Sequence, residues 1–217
     1  MKMIQYADRT WNPLTGCDGP VSSGCAHCWA QAMARRLAGR VGYPPWPQAF
    51  GPLMWQQRMN EPIRWRQPQR VAVGFMGDIG CHPVYHLLAL REACRSVPRH
   101  LYLLLTKRLD TVTEIDWPGC CLIGTSVEDQ ETYDQRVTGR GDCRLDWISL
   151  EPMLGPVRLD ERAPAWIVIG REHGPQARYA EGWWIQHAIC DARHLGRRVF
   201  FKDNPSMAGD LPEAIPF

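Results

Sequence analysis

Apolar residues in the C-terminal two-thirds of the chain gather into short continuous runs, at Val71–Phe75, Leu101–Leu105, Cys121–Thr125, Asp146–Leu150, Trp166–Gly170 and Val199–Phe201. Stretches of helical period separate them, clearest at Val84–Ser96, Glu128–Val137 and Trp183–Leu195. A short run without polar alternation suits a strand buried on both faces. Strands alternating with helices predict a parallel sheet joined by right-handed crossovers, either open or closed into a barrel. Upstream, the pattern predicts a short strand around Thr10-Trp11, then a loop, then a helix from about Trp29 to Ala38. In that helix Ala30, Ala32, Met33, Ala34 and Leu37 are good helix formers, and Gly39 is a natural stop. Residues 39–70 are rich in Gly, Pro, Trp and Arg without a sustained period, which predicts an irregular insertion. The expected organisation is one α/β domain over residues 1–217, with a loop at 11–30, the insertion at 39–70 and βα repeats from 71 to 217.

Each predicted strand ends in polar or small groups: Gly77 and Asp78; Thr106, Lys107 and Arg108; Ser126 and Glu128; Glu151; Arg171 and Glu172; Lys202 and Asp203. In parallel α/β folds ligands bind beyond the C-terminal strand ends. Any one of these residues could be a helix cap or a solvated charge. Six such ends in succession predict a common site.

Composition narrows the class. At 217 residues and 45% hydrophobic, the chain suits one sizeable core. No apolar run approaches the roughly 20 residues of a membrane span, and the opening residues Met1–Asp8 lack the apolar stretch of a signal peptide. A cytoplasmic protein with no membrane partner is therefore expected. The net charge is only +2, yet residues 35–70 carry Arg35, Arg36, Arg40, Arg58, Arg64, Arg66 and Arg70 against Glu61 alone, together with Tyr43, Trp46, Phe50, Trp55 and Trp65. Arginines neutralise phosphates and aromatic faces stack on bases. Arg58, Arg64, Arg66, Trp46, Trp55 and Trp65 are accordingly candidate nucleic-acid contacts. The alternative is an insertion with solvated arginines and tryptophans packed on the core.

The chain has nine cysteines, an odd number. In a reducing compartment they point to metal binding or burial rather than disulfides. Cys17, Cys25 and Cys28 form one group, with seven and then two residues between them. Thiolates suit zinc and iron–sulfur clusters. Structural zinc wants four protein ligands, and the nearest fourth candidate, His27, lies inside the two-residue gap; a fourth cysteine could come from Cys81, Cys94, Cys120, Cys121, Cys143 or Cys190, none of which sits in a second paired motif. Three cysteines on a four-iron cluster instead leave one iron open to a substrate or cofactor. Cys94 and Cys190 fall in helical patterns and Cys120 and Cys121 at a strand, which suits burial. Cys81 is the exception: it follows Asp78 at a predicted site end and could be a substrate contact, though it is not taken as one.

Thr10-Trp11-Asn12-Pro13, Gly16-Cys17 and Ser23-Gly24-Cys25-Ala26-His27-Cys28-Trp29-Ala30 resemble the N-terminal signature of a phage-associated three-cysteine family related to radical S-adenosylmethionine (SAM) enzymes. The similarity continues with Leu105-Thr106-Lys107-Arg108, Ser126-Val127-Glu128, Ser149–Pro156 and Phe200-Phe201-Lys202, so it covers nearly the whole chain. It implies a partial (β/α)6-type radical SAM barrel with the Arg/Trp-rich insertion after the cysteine loop and first helix. It also implies a 4Fe–4S cluster on Cys17, Cys25 and Cys28, SAM on the open iron, and an external one-electron reductant. Reduction then cleaves SAM to methionine and a 5′-deoxyadenosyl radical. By position, the resemblance places Gly77 and Asp78 at the SAM amino group and Ser126 and Glu128 at the ribose hydroxyls. Thr106, Lys107 and Arg171 join this cofactor set, and Glu151, Glu172 and Lys202 remain as candidate catalytic groups. Two departures bear on the substrate pocket: Gly170-Arg171-Glu172-His173 stands where the family often has Gly-Gly-Glu-Ser, and Asp203 where it often has Gln.

The leading expectation is a radical SAM enzyme acting on a modified base in phage DNA, in the host cytoplasm. The specific reaction expected is isomerisation of a glycine-type adduct on thymidine from nitrogen to carbon attachment. A radical pyrimidine repair lyase and a non-catalytic, metal-stabilised DNA-binding protein are the alternatives. Carboxylates and lysines at successive strand ends weigh against the last, since phosphate contact does not need them.

Overall fold

The computed structural model describes residues 4–173 and 176–202. Within these, one compact unit comprises residues 4–20 and 28–122, and a second comprises 21–27 and 123–202. No helix among the described residues is long and apolar enough to cross a membrane. The departure at Asp203 lies outside the described residues.

The first unit runs through β1 (Arg9–Trp11), β2 (Leu14–Thr15), α1 (Trp29–Leu37), β3 (Leu53–Met54), β4 (Arg70–Val73), α2 (Val84–Arg95), β5 (Leu101–Thr106) and α3 (Leu109–Thr113). Strand β4 lies between β1 and β5 and is parallel to both, with Trp11 opposite Val73 and Val73 opposite Leu104. Val71, Ala72, Val73 and Leu101 to Leu104 are all buried, so the runs do not alternate because both faces of these strands are covered. The insertion is less solvated than its composition suggests. Tyr43, Ala49 and Trp55 form a small core of their own, and β3 pairs antiparallel with β2. The Trp55 indole N–H donates to Thr15 Oγ1 at 2.8 Å, and the Cys17 N–H donates to the Phe50 carbonyl at 2.7 Å. The insertion therefore forms part of the wall behind the first cysteine.

The chain enters the second unit through β6 (Cys121–Val127) and continues through α4 (Gln130–Arg136), β7 (Trp147–Leu150), β8 (Trp166–Ile169), α5 (Gly182–His194) and β9 (Arg198–Phe201). These four strands are parallel in sequence order. One apolar cluster, including Ile148, Leu150, Ile167, Ile169, Ala188 and Ala192, fills the unit. Asp129 caps α4, accepting from the Thr132 N–H at 2.9 Å, while the Thr132 hydroxyl takes the Asp129 N–H at 3.0 Å.

The register of this unit organises its site. Val127, Leu150, Ile169 and Phe201 are partners across successive strands. One residue further on, Glu128, Glu151, Gly170 and Lys202 form the next row, beyond the C-terminal ends. The α/β class and the parallel pairing of the βα repeats agree with the sequence pattern.

Candidate functional site

In the second unit the strand-end carboxylates hold the loop that carries Cys25. Glu128 is fully buried. Its Oε1 accepts from the Ser22 hydroxyl at 2.6 Å, and its Oε2 accepts from the Ser23 hydroxyl at 3.2 Å and from the Gly24 N–H at 2.8 Å. The approach is close enough that a Cβ on Gly24 would sit 2.4 Å from Glu128 Oε1. Ser22 Oγ also lies 3.8 Å from Cys25 Sγ. Glu128, placed at the ribose by resemblance, is thus in the structure the anchor of the cysteine loop.

Glu172 secures the far end of the same loop. Arg178 donates to it from its backbone N–H, Nε and a terminal nitrogen at 2.7, 2.9 and 2.6 Å, and from its other terminal nitrogen to the Ser23 carbonyl at 3.0 Å. His27 Nδ1 lies 3.2 Å from Glu172 Oε2. The Arg178 hydrogen bonds, assisted by His27, hold the Glu172 carboxyl down to about 2 against the opposing effect of burial. A carboxyl depressed in the fold stabilises it fully above the ordinary value of 4.5, and that contribution disappears as pH falls towards 2. Arg178→Ala is therefore expected to move the acid loosening of residues 21–27 to higher pH, read as amide exchange of the loop against pH. Identical profiles for the variant and the unaltered protein would disprove the brace.

Lys202 and Glu151 pair across β8, Nζ donating to Oε2. Gly170 lies between them in the row. A Cβ there would meet Glu151 Cδ at 2.9 Å and Lys202 Cδ at 3.1 Å, so only glycine leaves space for the pair. Ser126 is buried, and its carbonyl takes a 2.8 Å hydrogen bond from the buried Arg136, while Arg171 is exposed.

In the first unit the strand-end groups converge on Asp78. Its carboxylate accepts from the Thr106 hydroxyl, the Gly80 N–H at 2.9 Å and the Lys107 N–H at 2.9 Å. A carboxylate has about four lone-pair sites, so three are engaged within the protein. The Arg108 N–H donates to Thr106 Oγ1 at 2.9 Å, which closes the turn after β5. Gly77 pairs with Gly16, next to Cys17. Cys17 faces Cys81. The Cys81 thiol, with Arg108 nearby, brings the Cys17 thiol down to about 6, whereas hydrogen bonding to Cys17 and burial push Cys81 upward. Cys28 is the N-cap of α1, its sulfur accepting from the Gln31 N–H at 3.5 Å. None of the three cysteines of the motif is in a disulfide, and each is partly exposed. Cys17 and Cys28 belong to the first unit and Cys25 to the second.

The insertion residues divide. Trp55 is buried. The Arg58 guanidinium lies 4.1 Å from the Trp55 ring centre and donates to the Asn12 carbonyl at 3.2 Å. Trp65 is half-buried beneath Arg9 and against His100. Arg64, Arg66 and Trp46 are exposed, and Trp46 carries Arg35 at 4.5 Å from its ring centre. Of the candidate contacts, these three present themselves to solvent, while Trp55 and Arg58 pack.

Sequence reasoning did not find Ser22, Ser23, Arg178 or Cys81 as site residues. The two serines before Cys25 were a signal, being hydroxyl donors beside a motif cysteine. Arg178, in an irregular stretch, gave none.

Fold and site together define a parallel α/β protein with buried carboxylates at its strand ends, two of them bracing a cysteine loop. The chain belongs to the family described as "Protein of unknown function (DUF5131)", whose model matches residues 1–209. No curated protein and no solved structure matches it significantly.

Proposed function

We propose that the protein is a radical SAM enzyme of partial (β/α)6-barrel type acting on a modified base in DNA, with isomerisation of a glycine-type thymidine adduct as the specific reaction. The observation that supports this best is the bracing of the Cys25 loop by Glu128 and Glu172, at the C-terminal ends of parallel strands. That is where α/β enzymes bind ligands. A cysteine loop serving only to staple a fold would not need two buried carboxylates to orient it.

The donor set suits the cluster. Cys17, Cys25 and Cys28 are thiols outside any disulfide, of the soft type that iron–sulfur centres take, and Cys28 stands at the helix end that favours negative charge. When bound, the cluster would supply the single electron that cleaves SAM. The chain's own residues orient and protect. Glu128 fixes Cys25 through Ser22, Ser23 and Gly24. Asp78 fixes the turns after β4 and β5. The Glu151–Lys202 pair places an ammonium at the strand-end row, where it can hold or donate a proton at Nζ. Exposed Arg64, Arg66 and Trp46 offer phosphate and base contacts.

The test is anaerobic reconstitution with iron and sulfide. About four irons per chain are expected, and dithionite with SAM should release 5′-deoxyadenosine. Nucleoside mass spectrometry on adduct-bearing DNA then reads the reaction, and a mononucleotide control reads the polymer requirement. A reconstituted protein without iron, or with iron but no SAM cleavage, would overturn the proposal.

A further inference from the structure

Cys81 has a place that the proposed chemistry does not use. Gly16 and Gly77 make a parallel bridge, with the Gly16 N–H on the Met76 carbonyl at 3.0 Å and the Asp78 N–H on the Gly16 carbonyl at 3.1 Å. This brings the turn Ile79–Cys81, capped by Asp78, against Cys17 and Asp18. One ligand atom each of Cys17, Asp18 and Cys81 lies within 4.8 Å of the other two. A four-coordinate zinc with sulfur at about 2.3 Å and oxygen at about 2.0–2.2 Å sets its ligand atoms roughly 3.4–3.8 Å apart. The trio therefore needs only a small contraction to enclose an ion.

Two further features suit a cation. Arg108 holds the Asp18 carboxylate in an ion pair at 2.5 Å. Two thiolates and a carboxylate carry three negative charges, which balance a divalent ion together with that one guanidinium. The same depression is lined by Asp18, Cys81, His82 and Arg108. His82 is buried, with Nδ1 against His86 Nδ1 at 3.1 Å, and its Nε2 has no hydrogen-bond partner among the described residues.

We propose that Cys17, Asp18 and Cys81 form a mononuclear site for a soft divalent cation of the zinc class, filled in cluster-free protein. Binding releases the thiol protons to solvent and changes no oxidation state. Three protein ligands leave a fourth position for water, the arrangement of an open zinc site. Cys17 cannot serve this ion and the proposed cluster together, so the two occupancies exclude each other. The site does not depend on the radical SAM reading, which iron content after reconstitution tests separately.

The experiment uses the full-length chain, stripped of metal, reduced and titrated with Co²⁺ alone. One equivalent should give sulfur-to-cobalt charge-transfer absorption and the intense visible bands of four-coordinate cobalt, both erased by Zn²⁺. Cys81→Ser and Cys17→Ser should abolish the signal, and Cys25→Ser should retain it. The unaltered protein supplies a second readout that no misfolded variant can confuse. Zn²⁺ should protect Cys17 and Cys81 from alkylation, mapped by mass spectrometry, while Cys25 and Cys28 stay reactive. Protection of Cys17 together with Cys25 and Cys28, no protection at all, or a cobalt signal surviving in Cys81→Ser would each overturn the proposal.

Discussion

Asp78→Ala is expected to lower the thermal unfolding midpoint by about 6–12 °C. The carboxylate accepts from the Thr106 hydroxyl and from the Gly80 and Lys107 N–H groups, in a residue only 9% exposed. Alanine removes the acceptor that these three donors share. Each buried unsatisfied group costs about 1–3 kcal/mol, and since the losses overlap, about 3 kcal/mol in all is the expected size. For a chain of this length each kcal/mol moves the midpoint by roughly 2–4 °C. Asp78→Asn should fall between, because its amide keeps one acceptor oxygen but turns an NH₂ towards a donor. A role confined to the SAM amino group predicts something else: weaker SAM binding with an unchanged midpoint. A midpoint within about 2 °C of the unaltered protein's would show that Asp78 does not hold the turns together.

Strands β4 to β9 were legible in the sequence to within two residues at either end, because each is an apolar run buried on both faces and bounded by polar groups. The pair β2 and β3 was not. Two residues per strand are too few for a period, and the pairing joins Leu14 to Met54 across the insertion. Trp55 shows a related limit. A tryptophan among arginines looks the same in sequence whether it stacks on a base or, as here, is buried with its N–H on Thr15. In the site, position was legible and partnership was not. Glu128 and Glu172 stood out as strand-end carboxylates. That they meet Ser22, Gly24 and His27 depends on contacts between residues 104 to 145 positions apart, about which no local pattern carries information.

The largest functional effect is expected at Glu128. With Ser22, Ser23 and Gly24 all bound to one buried carboxylate, Glu128→Ala removes every one of these anchors at once and leaves a cavity beneath Cys25. Groups that orient a metal ligand from behind it commonly account for 10–100-fold in affinity. Iron retained after reconstitution and desalting should fall by about that factor in Glu128→Ala, with a smaller loss in Glu128→Gln, whose amide keeps one acceptor and much of the volume. Gly24→Ala should reproduce the defect from the opposite side, since its methyl would occupy the space 2.4 Å from Glu128 Oε1. Contact with the ribose of SAM predicts a different result for Glu128→Ala: full iron, intact loop and weaker SAM binding alone. Iron per chain, amide exchange of residues 21–27 and SAM affinity, measured on these three variants, separate the two roles. Full iron in both Glu128→Ala and Gly24→Ala would refute the anchor.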